Sequence, residues 1–163
     1  MKKVKFKIAI MDEEAKERGK LLNFFEKDFD VYEISVVKSI EDLIEIIKTE
    51  KIDAIAIDYK LKEHQSKFLE NGDFYFKNLI ERLSDYPAFV LTNDSVKAKR
   101  ESKLIKPRFI IDKSIIHTPD LKARKTFMQE IKTEIENYKV DISKKISRLK
   151  ELTGVKKLKG LDE

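Results

Sequence analysis

The sequence predicts an α/β fold in which a parallel β-sheet is covered by helices on both faces. Short, β-prone apolar runs alternate along the chain with stretches whose apolar residues recur at helical spacing. The central run Ala54–Ile57 is apolar at every position, which is typical of a strand buried on both faces. The composition agrees, because 41% of the 163 residues are hydrophobic, enough for the core of one compact domain.

Five of the β-prone runs are predicted to be strands. In chain order they are Phe6–Ile10, Val31–Val37, Ile52–Asp58, Pro87–Thr92 and Arg108–Asp112. Strands separated by helices pair in parallel, because each crossover returns the chain to the same edge of the sheet. Five such units predict a flavodoxin-like, doubly wound (βα)5 domain with an extended C-terminal helix. Ligands of such sheets bind beyond the carboxyl ends of the strands.

The helices are predicted from their apolar spacing and from their start signals. Leu21, Leu22 and Phe25 mark the first helix, and Ser39–Asp42 resembles a capping box at the start of the second. The third is marked by Phe76, Leu79, Ile80 and Leu83, and the fourth is the polar stretch Ser95–Ile105. Thr118 and Pro119 are predicted to cap the long final helix.

The composition excludes several classes of site. The absence of cysteine rules out disulfides, thiolate zinc sites, iron–sulfur clusters and a cysteine nucleophile, and it favours a reducing, cytoplasmic location. With only four glycines, neither a phosphate-binding P-loop nor a dinucleotide fingerprint can be formed. No apolar stretch approaches the roughly 18 residues of a membrane span, so no membrane association is expected.

The net charge of +5 is concentrated at the C-terminus. Residues 139–163 contain eight Lys/Arg and four Asp/Glu, whereas residues 1–138 are nearly neutral. Because the cations are mostly lysines without interleaved aromatic residues, a solvated surface is favoured over a nucleic-acid interface. We therefore predict a domain over residues 1–138. Residues 139–163 are predicted to be a basic helical extension, either a coiled coil or a linker to a further output region.

Polar residues lie where the predicted strands end. They are Asp12 and Glu13 after the first strand, Asp58 after the third, Thr92 after the fourth and Lys113 after the fifth. Each alone has a simpler interpretation as a helix cap, a turn or a surface residue. Together they predict one cleft, in which three carboxylates require a cation, and hard oxygen ligands suit Mg²⁺. A carboxylate beside such a metal can act as a nucleophile and form an aspartyl phosphate.

The motifs that surround these residues resemble the receiver domain of two-component response regulators, the CheY-like superfamily. The matching segments are KIAIMDEEAKERGKLL, IDAIAID, NGDFYFKNL, FVLT and FIIDK, and their order and spacing cover residues 4–138. The resemblance implies that Asp58 is the phosphoacceptor and that Asp12 and Glu13 are the acids of the Mg²⁺ site. It also implies that the backbone carbonyl of Lys60 completes the metal site.

The same resemblance implies roles for two further residues and a function for the chain. Thr92 would be the switch hydroxyl, and Lys113 would pair with the phosphoryl group. A histidine kinase or a phosphotransfer protein would donate the phosphoryl group to Asp58 in a Mg²⁺-dependent reaction, and the modified domain would regulate a partner or an output module. Such a chain is not a classical enzyme, since it catalyses at most its own phosphorylation and dephosphorylation.

Several departures from the family pattern support an alternative, a non-phosphorylated pseudo-receiver that acts as a protein-interaction scaffold. Glu13 stands where aspartate is usual, and Asn93 stands where a small residue is common. The segment Tyr59–Asn71 is longer than usual and lacks the familiar proline. Ser114 replaces another proline, so no cis peptide bond is expected there. Ile110 occupies the position of the switch aromatic residue.

The final helix also carries a pattern that predicts self-association. Ile135, Ile142 and Leu149 are seven residues apart, and the interleaved positions are Ile131, Tyr138, Lys145 and Leu152. This seam is too long to face one small sheet, so the part beyond Tyr138 is expected to project and form a parallel homodimer. The alternative is a break near Asp141, after which the helix would fold back onto the domain.

Overall fold

The computed structural model describes residues 4–63, 66–102 and 105–159, and it confirms the flavodoxin-like α/β fold. Five parallel strands form one sheet in the order β2-β1-β3-β4-β5. The strands are β1 Lys7–Met11, β2 Asp30–Ile34, β3 Ala54–Asp58, β4 Ala88–Thr92 and β5 Ile110–Asp112. The helices are α1 Ala15–Phe25, α2 Ile40–Thr49, α3 Gly72–Arg82, α4 Ser95–Glu101 and α5 Leu121–Lys159.

The apolar residues of the sheet divide between two cores. In β1, Ile8 and Ile10 pack with α1 and α5, whereas Ala9 and Met11 pack with α2, α3 and α4. This division follows from the alternation of side chains along a strand. All five residues of β3 are buried, which confirms that the central strand is covered on both faces.

The ends of several elements differ from the sequence prediction. Strand β1 lies one residue further along the chain, and β2 ends at Ile34 because the chain leaves the sheet before the second helix. Strand β5 contains only three residues, since Pro107–Phe109 form a 3-10 turn. The capping box is confirmed, because the Ser39 hydroxyl accepts a hydrogen bond from the Asp42 N–H at 3.1 Å.

The start of α5 was predicted incorrectly. Its N-cap is Asp120, whose Oδ1 accepts hydrogen bonds from the N–H groups of Lys122 at 2.9 Å and Ala123 at 3.1 Å. Thr118 instead accepts a hydrogen bond from the Asp120 N–H, and Pro119 precedes the helix. The carboxylate is the better cap here, because it satisfies two of the free N–H groups of the first turn.

Helix α5 is continuous, so the alternative of a break near Asp141 is wrong. Its first half belongs to the core, where Ile131 and Ile135 are fully buried, and these two residues are therefore not free to form an intermolecular seam. At the end of this half, the Tyr138 ring lies 5.5 Å from the Tyr86 ring, and Lys139 forms a 2.6 Å ion pair with Asp53.

Beyond Lys139, α5 exposes a row of apolar residues, which we call the α5 stripe. It consists of Ile142, Ile146, Leu149 and Leu152, of which Ile142 is half-buried and the other three are exposed. The boundary between the domain and its helical extension, placed between residues 138 and 139, stays a prediction. None of the helices in the described part of the chain is both long enough and apolar enough to span a membrane.

Candidate functional site

The predicted site residues converge at the carboxyl edge of the sheet. Asp58 and Thr92 end the adjacent strands β3 and β4, Asp12 follows β1 and Lys113 follows β5. All four side chains are buried, although they are polar or charged. Burial of this kind is costly unless each group is paired, so the hydrogen bonds and ion pairs of these four residues define the site.

Lys113 is the cation at the centre of the site. Its Nζ lies 2.6 Å from Oδ1 of Asp58 and 3.1 Å from Oδ2 of Asp12. Burial alone would lower the pKa of Lys113, but these two carboxylates outweigh burial and raise it. Burial raises the pKa of Asp58, although Lys113 acts in the opposite direction. The ammonium group therefore remains charged and neutralises part of the acidic cluster.

Glu13 completes a group of three carboxylates with Asp12 and Asp58. One oxygen from each of them lies within 4.8 Å of the others. Burial of the Glu13 side chain, together with the nearby charges of Asp12 and Asp58, raises its pKa to about 7. Oε2 of Glu13 is buried and has no hydrogen-bond partner in the described part of the chain. An unpartnered oxygen among three carboxylates fits a hard cation such as Mg²⁺.

The turn that carries Asp12 and Glu13 is fixed by backbone contacts. The Glu14 N–H donates to Oδ1 of Asp12 at 2.9 Å. One guanidinium nitrogen of Arg18 donates to the carbonyl oxygens of Asp12 at 2.9 Å and Glu13 at 3.0 Å. Arg18 was not predicted as a site residue, although its position in the first turn of α1 brings it within reach of this loop.

The loop after Asp58 is anchored despite its length. The Lys60 N–H donates to Oδ2 of Asp58 at 3.2 Å, and the Lys60 side chain forms a 3.0 Å ion pair with Glu63. Leu61 and Phe68 are buried in the core formed with α2 and α3. Leu61 and Phe68 therefore hold the described parts of the loop against the domain, while Lys60 and Glu63 line the edge of the site.

Gly72 is required by a close approach to the acceptor strand. Its N–H donates to the Tyr59 carbonyl at 2.9 Å. A Cβ atom at this position would lie 2.0 Å from the backbone oxygen of Asp58 and 3.0 Å from Cγ2 of Ile57. Only glycine permits this approach, so the start of α3 and the acceptor backbone are in direct contact.

Thr92 and Lys113 are connected through the segments that follow their strands. The Asp94 N–H donates to the Thr92 hydroxyl at 3.2 Å. One residue further, the Ser95 hydroxyl donates to Oδ2 of Asp112 at 2.9 Å, and the other oxygen of Asp112 accepts the Ser114 N–H at 2.9 Å. The Ser114 N–H is the main reason that the pKa of Asp112 is lowered. Asp112 and Ser95 were not predicted as site residues.

These residues surround one open cleft of about 250 Å³. All six residues predicted from the sequence line it: Asp12, Glu13, Asp58, Lys60, Thr92 and Lys113. Asn93 and four further acids also line it, namely Glu14, Glu17, Glu63 and Asp94. These further acids were not predicted, because they come from three separate segments. Their common charge attracts cations to the cleft.

The departures at β5 are also visible in the structure. Ile110 is buried in the core formed with α2 and α3, so this position carries no aromatic switch residue. Phe109 lies in the 3-10 turn, and its ring packs against Phe76 at 5.8 Å and Phe89 at 6.5 Å. The described residues contain no cis peptide bond, which agrees with the expectation at Ser114.

Comparisons with known proteins give matches among solved structures. Neither a protein-family model nor a curated protein sequence matches the chain. An adenylate cyclase from Rhodopirellula baltica superimposes with a TM-score of 0.56 and 17% identity, over 90% of this chain and 98% of the other. For a response regulator receiver domain protein from Clostridium thermocellum, the TM-score is 0.54 and the identity is 17%, over 83% and 98%.

The receiver domain of PhyR from Erythrobacter litoralis matches as well, with a TM-score of 0.53 and 14% identity, over 81% of this chain and 91% of the other. These identities are too low to transfer an activity, but the superpositions cover most of both chains. The comparisons therefore concern the architecture. The chain has the fold of a response-regulator receiver domain.

Proposed function

We propose that the chain is a phosphoacceptor receiver that is phosphorylated on Asp58 and then regulates a partner or an output module. The observation that supports it is the set of contacts around one carboxylate. Asp58 lies 2.6 Å from the Lys113 ammonium and within 4.8 Å of the carboxylates of Asp12 and Glu13. A nucleophilic carboxylate, a cation for phosphoryl oxygens and ligands for a metal are the groups that phosphoryl transfer requires.

In the proposed reaction, an oxygen of Asp58 attacks the phosphorus of the donor. The bond between phosphorus and the donor atom breaks as the new bond forms, and the leaving group keeps the electron pair. Lys113 can follow the charge from the carboxylate to the phosphoryl oxygens without leaving the cleft. Thr92 supplies a hydroxyl for another phosphoryl oxygen. A Mg²⁺ ion held by Asp12, Glu13, Asp58 and the carbonyl of Lys60 would neutralise the remaining charge.

Asp58 is a better acceptor than Asp12, although both are buried. Both carboxylates are engaged on both oxygens, Asp58 by Lys113 and the Lys60 N–H, and Asp12 by the Glu14 N–H and Lys113. Asp12 is the less accessible of the two, with 1% of its surface exposed against 7% for Asp58. Its role in the proposal is to hold Lys113 and the metal. Asp58 lines the cleft at the end of the central strand, where a donor group can reach it. The proposed donor is the phosphohistidine of a histidine kinase or of a phosphotransfer protein.

Intact-mass measurement after incubation with Mg²⁺ and acetyl phosphate tests the proposal. The wild-type protein is expected to gain one phosphoryl group, and Asp58→Asn to gain none. Asp53→Asn is the matched control, because this carboxylate lies before β3 at the opposite edge of the sheet and pairs with Lys139. A wild-type protein without an adduct, or an adduct that persists in Asp58→Asn, would contradict the proposal.

The alternative function is a pseudo-receiver that serves as an interaction scaffold. It is favoured by the ion pairs of Lys113, which already neutralise charge on Asp12 and Asp58 without a metal. A Mg²⁺ titration followed by NMR separates the two functions. If millimolar Mg²⁺ leaves the signals of Asp12, Glu13 and Asp58 unchanged, the scaffold is supported.

A further inference from the structure

Thr92 and Lys113 lie at the end of the β4–β5 ladder, where the two chains separate. The last paired residues of this ladder are Thr92 and Asp112. Beyond them, one chain continues through Asp94 into α4, and the other enters the 3-10 helix Lys113–His117. The sheet therefore fixes where these segments begin but not how they are placed relative to each other.

Within the described residues, one side-chain hydrogen bond joins the segment after Thr92 to the last residue of β5. It runs from the Ser95 hydroxyl to Oδ2 of Asp112, with a length of 2.9 Å. The other oxygen of Asp112 accepts the N–H of Ser114, the residue after Lys113. At the other end of this hydrogen bond, Ser95 directly follows Asp94, whose N–H donates to the hydroxyl of Thr92. One carboxylate thus connects the loop of Thr92 with the turn of Lys113.

We propose that Ser95 and Asp112 form a positioning pair. Their hydrogen bond holds the Thr92 loop and the Lys113 turn at the spacing that phosphoryl transfer to Asp58 needs. Neither residue contacts the reacting atoms, so both act through their neighbours. This inference rests on the proposed function and adds to it the connection between the two groups that receive the phosphoryl oxygens.

The charge of Asp112 makes the connection stronger than an ordinary hydroxyl contact. Hydrogen bonds to ionised groups are shorter and contribute more than neutral ones. The carboxylate is ionised, because the Ser114 N–H and the Ser95 hydroxyl lower its pKa. Loss of this bond would free the Thr92 loop to move relative to the Lys113 turn, and small displacements of the groups around the reacting atoms reduce rates of transfer strongly.

The rate of phosphorylation by acetyl phosphate at saturating Mg²⁺ tests the pair. We expect Ser95→Ala to react roughly tenfold more slowly, the factor that corresponds to the loss of one hydrogen bond to a charged group. Ser95→Thr keeps the hydroxyl and is expected to restore the wild-type rate. The Mg²⁺ affinity of both variants, measured by NMR titration, should remain that of the wild type, since Ser95 does not belong to the proposed metal site.

Ser39→Ala is the matched control. It also removes a serine hydroxyl at the start of a helix, where Ser39 accepts the Asp42 N–H, but it lies beside α2. Its rate should equal that of the wild type. Equal slowing of Ser39→Ala and Ser95→Ala, a wild-type rate for Ser95→Ala, or no rescue by threonine would each overturn the positioning role.

A double-mutant cycle identifies the partner of Ser95. In the Asp112→Ala background, Ser95→Ala should cause no further slowing, because the bond is already lost. The same slowing in both backgrounds would show that the hydroxyl acts elsewhere and would overturn the pair. A wild-type protein that takes up no phosphoryl group would overturn the proposed function and the pair together, which distinguishes this outcome from the failure of the pair alone.

Discussion

Replacement of Gly72 by alanine tests the contact between α3 and the acceptor strand. The added Cβ would lie 2.0 Å from the carbonyl oxygen of Asp58, whereas ordinary contacts begin at 3.4 Å. The two backbones would therefore have to separate by more than 1 Å, and no flexible side chain could absorb this shift. The 2.9 Å hydrogen bond from Gly72 to Tyr59 would be stretched as well.

The expected loss of stability follows from these two effects. Overpacking costs about 1–3 kcal/mol, and a weakened buried hydrogen bond adds about 1 kcal/mol, so we expect Gly72→Ala to lose about 3 kcal/mol. For a domain of this size, the loss corresponds to a Tm that is roughly 6–12 °C lower. The rate of Asp58 phosphorylation should fall as well, because the added methyl group displaces the Asp58 backbone.

Gly19→Ala is the matched control, because the same substitution should have the opposite effect there. Gly19 lies within α1, and a Cβ would meet nothing within 4 Å. Alanine at such a position stabilises a helix by about 0.5–1 kcal/mol. Urea unfolding followed by circular dichroism measures both variants. A Gly72→Ala protein as stable as the wild type would refute the close approach.

Three further predictions concern the charges of the cleft and the α5 stripe. Lys113→Met leaves two buried carboxylates unpaired and should lose about 3–5 kcal/mol in thermal or urea unfolding, of which Mg²⁺ restores a part; no loss would contradict the central ion pairs. The pKa of Glu13 is raised from 4.5 to about 7, so the folded protein binds this proton more tightly than the unfolded chain. Without Mg²⁺, stability should therefore fall as pH rises through this window, and Glu13→Gln should flatten the dependence measured by urea unfolding. We also propose that the α5 stripe pairs weakly with a second copy at high concentration, as detected by sedimentation, and that Ile142→Asp abolishes the pairing; a wild-type protein that stays monomeric throughout would contradict it.

The fold could be predicted because its signals are local. The alternation of strands and helices, the all-apolar run of β3 and the Ser39 capping box are each contained in a few consecutive residues. The errors lie where the sequence offers two options. Thr118 and Asp120 are both good N-cap residues, and the helix begins after Asp120, whose carboxylate accepts two N–H groups of the first turn. The length of α5 was predicted, but the sequence alone does not decide whether Ile131 and Ile135 belong to the core or to a coiled-coil seam.

The site was predictable in part for the same reason. Residues at the carboxyl ends of parallel strands meet at one edge of the sheet. The sequence alone could therefore place Asp58, Thr92 and Lys113 in one site. The residues that position these groups could not be predicted, because their residue types alone do not indicate such a role. Arg18 acts through two backbone carbonyls, and Asp112 acts through a serine 17 residues away. An arginine in a helix and an aspartate before a turn have many ordinary roles, and only the fold specifies these contacts. The reactive groups of this cleft can therefore be predicted from the residues at the strand ends. Their exact placement depends on residues that a sequence motif does not include.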